Sequence, residues 1–164
     1  MLLEILWAAG STLAFGIIFN LKGKKLFFAS VGGALGWAVY VLAKNSGSSI
    51  PASFLFSSIA ITIYSEIIAR ILKTPVTSTL IASLIPLVPG SGVYFTMSYL
   101  VENKIEEAVE KGTETILVTV AITVGIVLVS TFSQIYYKIR RYNKIKKKIY
   151  MRNSTKTRKQ INKF

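Results

Sequence analysis

Five long apolar blocks constrain this chain more than any other feature of its sequence. They cover approximately residues 2–19, 26–43, 51–68, 76–101 and 113–137. A helix needs about 20 mostly apolar residues to cross the ~30 Å hydrocarbon core of a bilayer, so each block predicts a membrane span. With 52% hydrophobic and 16% charged residues, the chain also lacks the polar surface of a soluble domain. The predicted fold is all-α and polytopic, with about five transmembrane helices.

The charge of the chain is concentrated at its C-terminal end. The net charge is +13, and twelve of the twenty basic residues follow Gln134. This distribution predicts a five-helix transmembrane domain at residues 1–137 and a basic tail at residues 138–164. The first and third connections between the blocks, together with the tail, are the richest in Lys and Arg, which places them in the cytoplasm. The predicted N-terminus therefore lies outside and the C-terminus inside.

The basic tail has two interpretations: it binds anionic lipid, or it binds RNA or the ribosome. No nucleic-acid motif accompanies the charge, so we expect anionic lipid as its partner, at about 1 kcal/mol per basic residue, and no nucleic acid.

The residue types missing from the chain exclude several classes of chemistry. The chain contains no Cys, His or Asp. Because those residues supply most metal ligands, nucleophiles and general bases, we expect no enzyme activity, no metal site and no cofactor.

The fourth apolar block is interrupted by two prolines and two glycines. Prolines remove backbone donors and glycines permit non-helical torsions, so Pro86, Pro89, Gly90, Ser91 and Gly92 predict a broken helix. Roughly ten residues precede Pro86, which puts the break near the middle of the bilayer. Broken helices form substrate sites in transporters, and Ser91 would cap a second half-helix whose N–H groups suit a carboxylate. The alternative is a simple proline kink.

Other polar residues in the blocks are weaker predictions. Asn20 and Tyr94 are predicted to make polar contacts to a substrate. Glu66 lies four residues before Arg70, so it is either a proton-coupling carboxylate or half of an ion pair at the membrane interface. Glu114, at the outer end of the fifth block, has the same two interpretations.

Small residues at a spacing of four predict close helix packing in the first two blocks. The pattern is Gly32-x-x-x-Gly36 with Gly33 in the second block, and Gly10 with Ala14 in the first. The aromatic residues are predicted to lie at the interface or in helix packing; they are Trp7, Trp37, Tyr40, Tyr64 and Tyr94.

Several of these segments together resemble one family of transporters. The resemblance is carried by Phe19-Asn20 before a basic turn, Gly32-Gly33-Ala34-Leu35-Gly36-Trp37, Phe54, and Ile85-Pro86-Leu87-Val88-Pro89-Gly90. Over residues 2–129 the chain resembles the threonine/serine exporter (ThrE) family, and within it the small membrane component of the YjjB type. The Pro-Leu-Val-Pro-Gly run is the most specific element. The basic tail departs from the compact family pattern.

The resemblance implies a function, a location and a partner. It implies a multi-pass protein of the bacterial inner membrane that works with a larger YjjP-type membrane subunit. Exported substrates in this family include threonine and serine, and for split pairs also succinate, with proton-motive-force coupling. We therefore expect the small subunit of a secondary exporter of small carboxylate-bearing metabolites, with threonine and serine first and succinate as the alternative. A second alternative is a non-transporting membrane scaffold that recruits a partner through its tail.

Overall fold

The computed structural model describes residues 1–161, and the surroundings of their side chains except at positions 141, 143–145 and 147–161. Helix makes up 87% of the structure, and no strand occurs among the described residues. The elements are α1 (Leu2–Ile18), α2 (Lys24–Asn45), α3 (Ile50–Leu72), α4 (Val76–Leu84), a 3-10 turn (Ile85–Leu87), α5 (Gly90–Val101) and α6 (Ile105–Ile161). The all-α prediction is confirmed.

The predicted membrane spans correspond to these helices in order. Among the described residues, α2, α3 and the apolar part of α6, Ile105–Arg140, are long and apolar enough to cross a membrane. The pair Val76–Leu87 and Gly90–Val101 passes the same test as one segment bent by 46°. The remaining apolar helix, α1, has 17 residues and is shorter. The structure therefore supports three or four spans, and the count of five and the orientation stay predictions.

Helix α2 lies at the centre of the bundle because its glycines admit three neighbours. A Cβ atom added to Gly32, Gly33 or Gly36 would collide with a side chain of another helix. The residues struck would be Ser83 of α4, Thr12 of α1 and Ile61 of α3, respectively. Close approach through small residues is how membrane helices gain packing contacts without a hydrophobic driving force. The prediction for this glycine pattern is confirmed.

Hydroxyl groups fasten the neighbouring helices to α2. Three side chains from α3 and α4 donate hydrogen bonds to main-chain carbonyls of α2. The donor–acceptor distances are 2.6 Å from Ser57 to Gly36, 2.9 Å from Tyr64 to Phe28 and 2.9 Å from Ser83 to Ala29. Such bonds satisfy polar side chains that are shielded from water and link helices at defined heights.

The packing pattern predicted for α1 is wrong by two residues. Gly10 and Ala14 are exposed, and a Cβ on Gly10 would meet nothing within 4 Å. The buried positions of α1 are Ala8, Thr12 and Gly16, which share one face at a spacing of four. The contact between Thr12 and Gly33 fixes that face toward α2, so the other small residues point away.

The last helix begins earlier than the fifth apolar block. The segment 102–111, which lies between the fourth and fifth apolar blocks, forms the turn after α5 and the first two turns of α6. Of its apolar residues Ala108 is buried, whereas Ile105 and Val109 are more than half exposed. In the turn, the Lys104 ammonium lowers the pKa of the exposed Glu102 carboxyl through a hydrogen bond and the charge.

The chain divides into two compact units, Met1–Val129 and a second that begins at Ser130. All elements from α1 to α5 belong to the first unit, and α6 continues through the second as far as Ile161. Most side chains of the tail predicted to bind lipid fall outside those whose surroundings the structure describes. The basic residues concerned are Arg141, Lys144, Lys147, Lys148, Arg152, Lys156, Arg158, Lys159 and Lys163. The boundary at residue 137 and the lipid partner remain predictions.

Candidate functional site

The fourth apolar segment is broken at the predicted residues. Pro86 lies in the 3-10 turn that ends α4, and Val88 has an extended backbone with φ −62° and ψ 123°. Pro89 then precedes α5, which begins at Gly90. Since neither proline can donate to the helical ladder, the hydrogen-bond pattern stops here and the two halves meet at a bend of 46°. The predicted broken helix is confirmed.

The capping role predicted for Ser91 is wrong. Pro89 occupies the cap position, no side chain caps α5, and Ser91 is exposed as the second residue of the helix. The Gly90 N–H donates to the carbonyl of Val88 at 2.7 Å, a tight turn centred on Pro89, which has φ −76° and ψ 51°. Ser91 still belongs to the first turn of α5, where backbone N–H groups point outward and the helix dipole is positive.

A cleft of ≈ 270 Å³ opens beside the break. Its walls come from α2, the first turns of α3, the broken segment and α6. Four of the predicted site residues line it: Pro86, Pro89, Ser91 and Gly92. Small-molecule sites usually span about 300–1,000 Å³, so a cleft slightly smaller than this range suits a small ligand of metabolite size.

Gly92 brings α5 and α6 together on one side of the cleft. It is buried, and an added Cβ would collide with the hydroxyl of Thr115 and lie 3.1 Å from the Thr115 methyl group. Gly90 differs, because a Cβ there would meet nothing within 4 Å, and this residue is not part of the cleft lining. Gly92 is therefore the glycine whose lack of a side chain the site requires.

An ion pair in the cleft comes from α6. The Lys111 Nζ lies 2.6 Å from the Glu114 Oε2, with the two side chains 36% and 32% exposed. Thr115, the next residue, donates from its hydroxyl to the Lys111 carbonyl at 2.7 Å. These are the only charged residues among those that the structure places along the cleft. Glu114 could be singled out from the sequence by its place at the end of an apolar block, whereas no pattern singled out Lys111.

Aromatic side chains form the opposite part of the lining. Trp37 and Tyr40 of α2 have ring centroids 5.1 Å apart, and Tyr40 lies 4.6 Å from Phe54 of α3. The sequence indicated packing or interface roles for Trp37 and Tyr40, whereas the structure adds a place in the cleft. Their spacing of three puts Trp37 and Tyr40 on one face of α2. The packing of α2 against α3 decides that this face lines the cleft, and the sequence alone does not show it.

A second cleft of ≈ 330 Å³ shares Trp37 and Pro86 with the first. The rest of its lining comes from α1 and includes Glu4, whose carboxylate accepts a long hydrogen bond of 3.4 Å from the Trp37 indole. Its polar groups are fewer than those of the first cleft, and it lacks a basic side chain. We therefore take the first cleft as the candidate site.

Three predicted site residues lie away from this cleft. Glu66 is about 18 Å along α3 from Phe54, at ~1.5 Å per residue, and pairs with Arg70 at 2.6 Å. Asn20 lies at the same end of the bundle as Glu66, in the turn after α1, and adopts φ 58°, a conformation that Asn tolerates well. Tyr94 is on α5 and is 68% exposed.

The cleft extends from the break toward one end of the bundle. Tyr40 is five residues before the end of α2, and Ile50 is the first residue of α3, so the cleft reaches toward the end where α2 ends and α3 begins. The break itself packs near the middle of these helices, because Leu87 belongs to one hydrophobic cluster with Ile61 of α3 and would lie 3.3 Å from a Cβ on Gly36 of α2. The depth of the break in a bilayer stays a prediction.

One comparison with known proteins gave a match. A family model described as Threonine/Serine exporter, ThrE, matches residues 4–132. The match covers most of the chain, includes every residue that lines the cleft, and ends before the basic tail. Neither the curated proteins nor the solved structures gave a match to this chain.

Proposed function

Because this chain belongs to the threonine/serine exporter (ThrE) family, we propose that it is the small subunit of a secondary exporter for threonine and serine. The observation that carries the proposal is the broken segment, which lines a metabolite-sized cleft with Ser91, Gly92 and the Lys111–Glu114 pair. A proline kink alone would need no cleft and no charged partner. Irregular backbone at membrane depth is tolerated where it faces protein or an aqueous cavity, which fits this arrangement.

The lining offers complementary groups for a small polar metabolite. The Lys111 ammonium and the first turn of α5 both attract a carboxylate, since the dipole of a helix is positive at its N-terminus. The hydroxyls of Ser91 and Tyr40 supply hydrogen bonds, and the aromatic rings cover the aliphatic part of a ligand. Threonine and serine combine a carboxylate, a hydroxyl and a short carbon chain, so they suit these groups.

The proposed location is the bacterial inner membrane, with five spans and a larger YjjP-type subunit as partner. In this arrangement the N-terminus is outside, and the basic turns near Lys22 and Lys73 are inside. A five-span half of this orientation would pair with a five-span half of the opposite orientation as an inverted-topology pair. Under this proposal the cleft faces the outer side, and Glu66 lies near the inner side.

The orientation is tested by cysteine labelling, which the absence of native Cys makes free of background. We expect Asn45→Cys to react with a membrane-impermeant maleimide in intact spheroplasts, since the α2–α3 connection lies outside. Lys22→Cys should react only after permeabilisation. Labelling in the reverse pattern would overturn the proposed orientation and the inverted-topology pair.

Transport is tested by efflux of labelled threonine, serine and succinate from energised cells. The cells express this chain alone, the larger subunit alone, or both, with and without an uncoupler. We expect threonine and serine efflux that needs both chains and falls to background with the uncoupler. Succinate efflux alone would favour the dicarboxylate alternative. No efflux with both chains present in the membrane would contradict the proposal and favour a scaffold that acts through its tail.

A further inference from the structure

The ion pair in the cleft is placed where a ligand can reach it. Both Lys111 and Glu114 are about one third exposed, and they face the same cavity as Ser91. The Glu66–Arg70 pair has the same separation of 2.6 Å, but its carboxylate is only 11% exposed and it lies at the other end of α3. The α6 pair is therefore the accessible one of the two.

The packing of α5 on α6 orients this pair toward the break. Gly92 touches Thr115, the residue directly after Glu114, and Ser91 directly precedes Gly92. Lys111 and Glu114 are three residues apart, so they share one face of α6. That face is the one that lines the cleft with the first turn of α5.

We propose that Lys111 and Glu114 determine the specificity of the exporter, an inference that rests on the function proposed above. A zwitterionic amino acid opens the ion pair and takes a place between its two halves. Lys111 binds the α-carboxylate and Glu114 binds the α-ammonium. Lys111 and Glu114 each exchange the other for a charged group of the ligand, so binding leaves no charge in the cleft unpaired.

The same pair disfavours ligands that carry only one charge, and it also disfavours ligands that carry two charges of the same sign. A dicarboxylate would satisfy Lys111 but would place a second negative charge beside Glu114. An N-acylated amino acid would satisfy Lys111 and leave Glu114 without a cation, and an amino-acid ester would do the opposite. Leaving a partly buried charge unpaired is the usual source of strong discrimination between similar ligands.

The test measures competition in inverted membrane vesicles that contain the full chain and its larger subunit. The readout is uptake of labelled threonine in the presence of unlabelled serine, N-acetylthreonine, threonine methyl ester or succinate. For the unaltered protein we expect serine to compete and the other three to compete at least about tenfold less well, the cost of losing one charged contact. Competition by succinate equal to that by serine would overturn the inference.

The variant Glu114→Gln tests whether the ion pair causes this selectivity. We expect it to lower the ratio by which threonine competes better than N-acetylthreonine, by about tenfold or more, because the neutral amide no longer requires an ammonium group as its partner. The ratio of two competitors does not depend on how much protein folds, so a loss of folding cannot imitate the result. Lys111→Gln should weaken competition by threonine and by N-acetylthreonine to the same extent, since both ligands have the carboxylate that Lys111 binds.

The matched control is Glu102→Gln, which breaks an ion pair of the same 2.6 Å length with Lys104 outside the cleft. We expect it to leave all competitor ratios unchanged. Equal ratios for Glu114→Gln and Glu102→Gln in vesicles that transport threonine would overturn the inference and leave the proposed function standing. Vesicles in which the unaltered pair of chains transports none of the amino acids would overturn both.

Discussion

Gly92→Val is expected to abolish threonine efflux, whereas Gly90→Ala retains it. The two glycines are two residues apart in the same turn of α5, but only Gly92 is pressed against another helix, through Thr115. Added carbon atoms at Gly92 must push α6 away, at a cost of about 1–3 kcal/mol for overpacking, and they would fill the cleft beside Ser91. The measurement is the initial efflux rate divided by the amount of each variant in the membrane.

The control for this prediction is the Gly90→Ala variant, because the space around Gly90 is open. An alanine there meets no atom within 4 Å and improves the helix propensity of the first turn, so efflux and protein level should remain as in the unaltered chain. Equal efflux for the two variants would show that the contact between α5 and α6 does not shape the transport site. A Gly92→Val protein that is missing from the membrane would call for Gly92→Ala, the smallest change at the same contact.

Glu66→Gln is expected to remove the uncoupler-sensitive part of efflux. Glu66 is the only one of the seven Glu residues that is buried in the structure, and it lies within a proposed span. Intramembrane carboxylates of this kind tend to mark ion pathways. Glutamine keeps the shape of the side chain and can still form a hydrogen bond with Arg70, but its amide cannot take up and release a proton as a carboxylate does. The measurement is threonine efflux with and without uncoupler.

The alternative for Glu66 is a purely structural ion pair, and two further variants separate the cases. Under proton coupling, Glu66→Asp retains part of the uncoupler-sensitive efflux, and Arg70→Gln affects it less than Glu66→Gln does. Under the structural alternative, Glu66→Gln and Arg70→Gln lower the thermal stability and the efflux of the protein in parallel. Parallel losses would therefore remove Glu66 from the coupling mechanism.

The sequence predicted the features that depend on local chemistry. The helices follow from apolar blocks, and the break at Pro86 and Pro89 follows from the loss of backbone donors. The glycines of α2 were assigned to packing because few other roles suit three small residues on adjacent faces of an apolar helix. In each case the responsible residues lie within one turn of the structural feature that they cause.

The parts that the sequence did not predict depend on which helices meet. Lys111 and Phe54 line the same cleft, but they are 57 residues apart and belong to helices whose rotation no local pattern fixes. The prediction for the buried face of α1 is wrong by two residues for the same reason. Its rotation is set by the contact of Thr12 with Gly33, a residue of the next helix.

The hydroxyl bonds to the carbonyls of α2 have a consequence for how the protein can move. Ser57, Tyr64 and Ser83 tie α3 and α4 to α2 at fixed heights, so these helices cannot slide along one another without breaking several directional bonds. We infer that α2, α3 and α4 act as one rigid body during a transport cycle. Opening of the cleft is then left to a hinge at Val88–Pro89, where the helical ladder is already interrupted and a change of ψ breaks no helix.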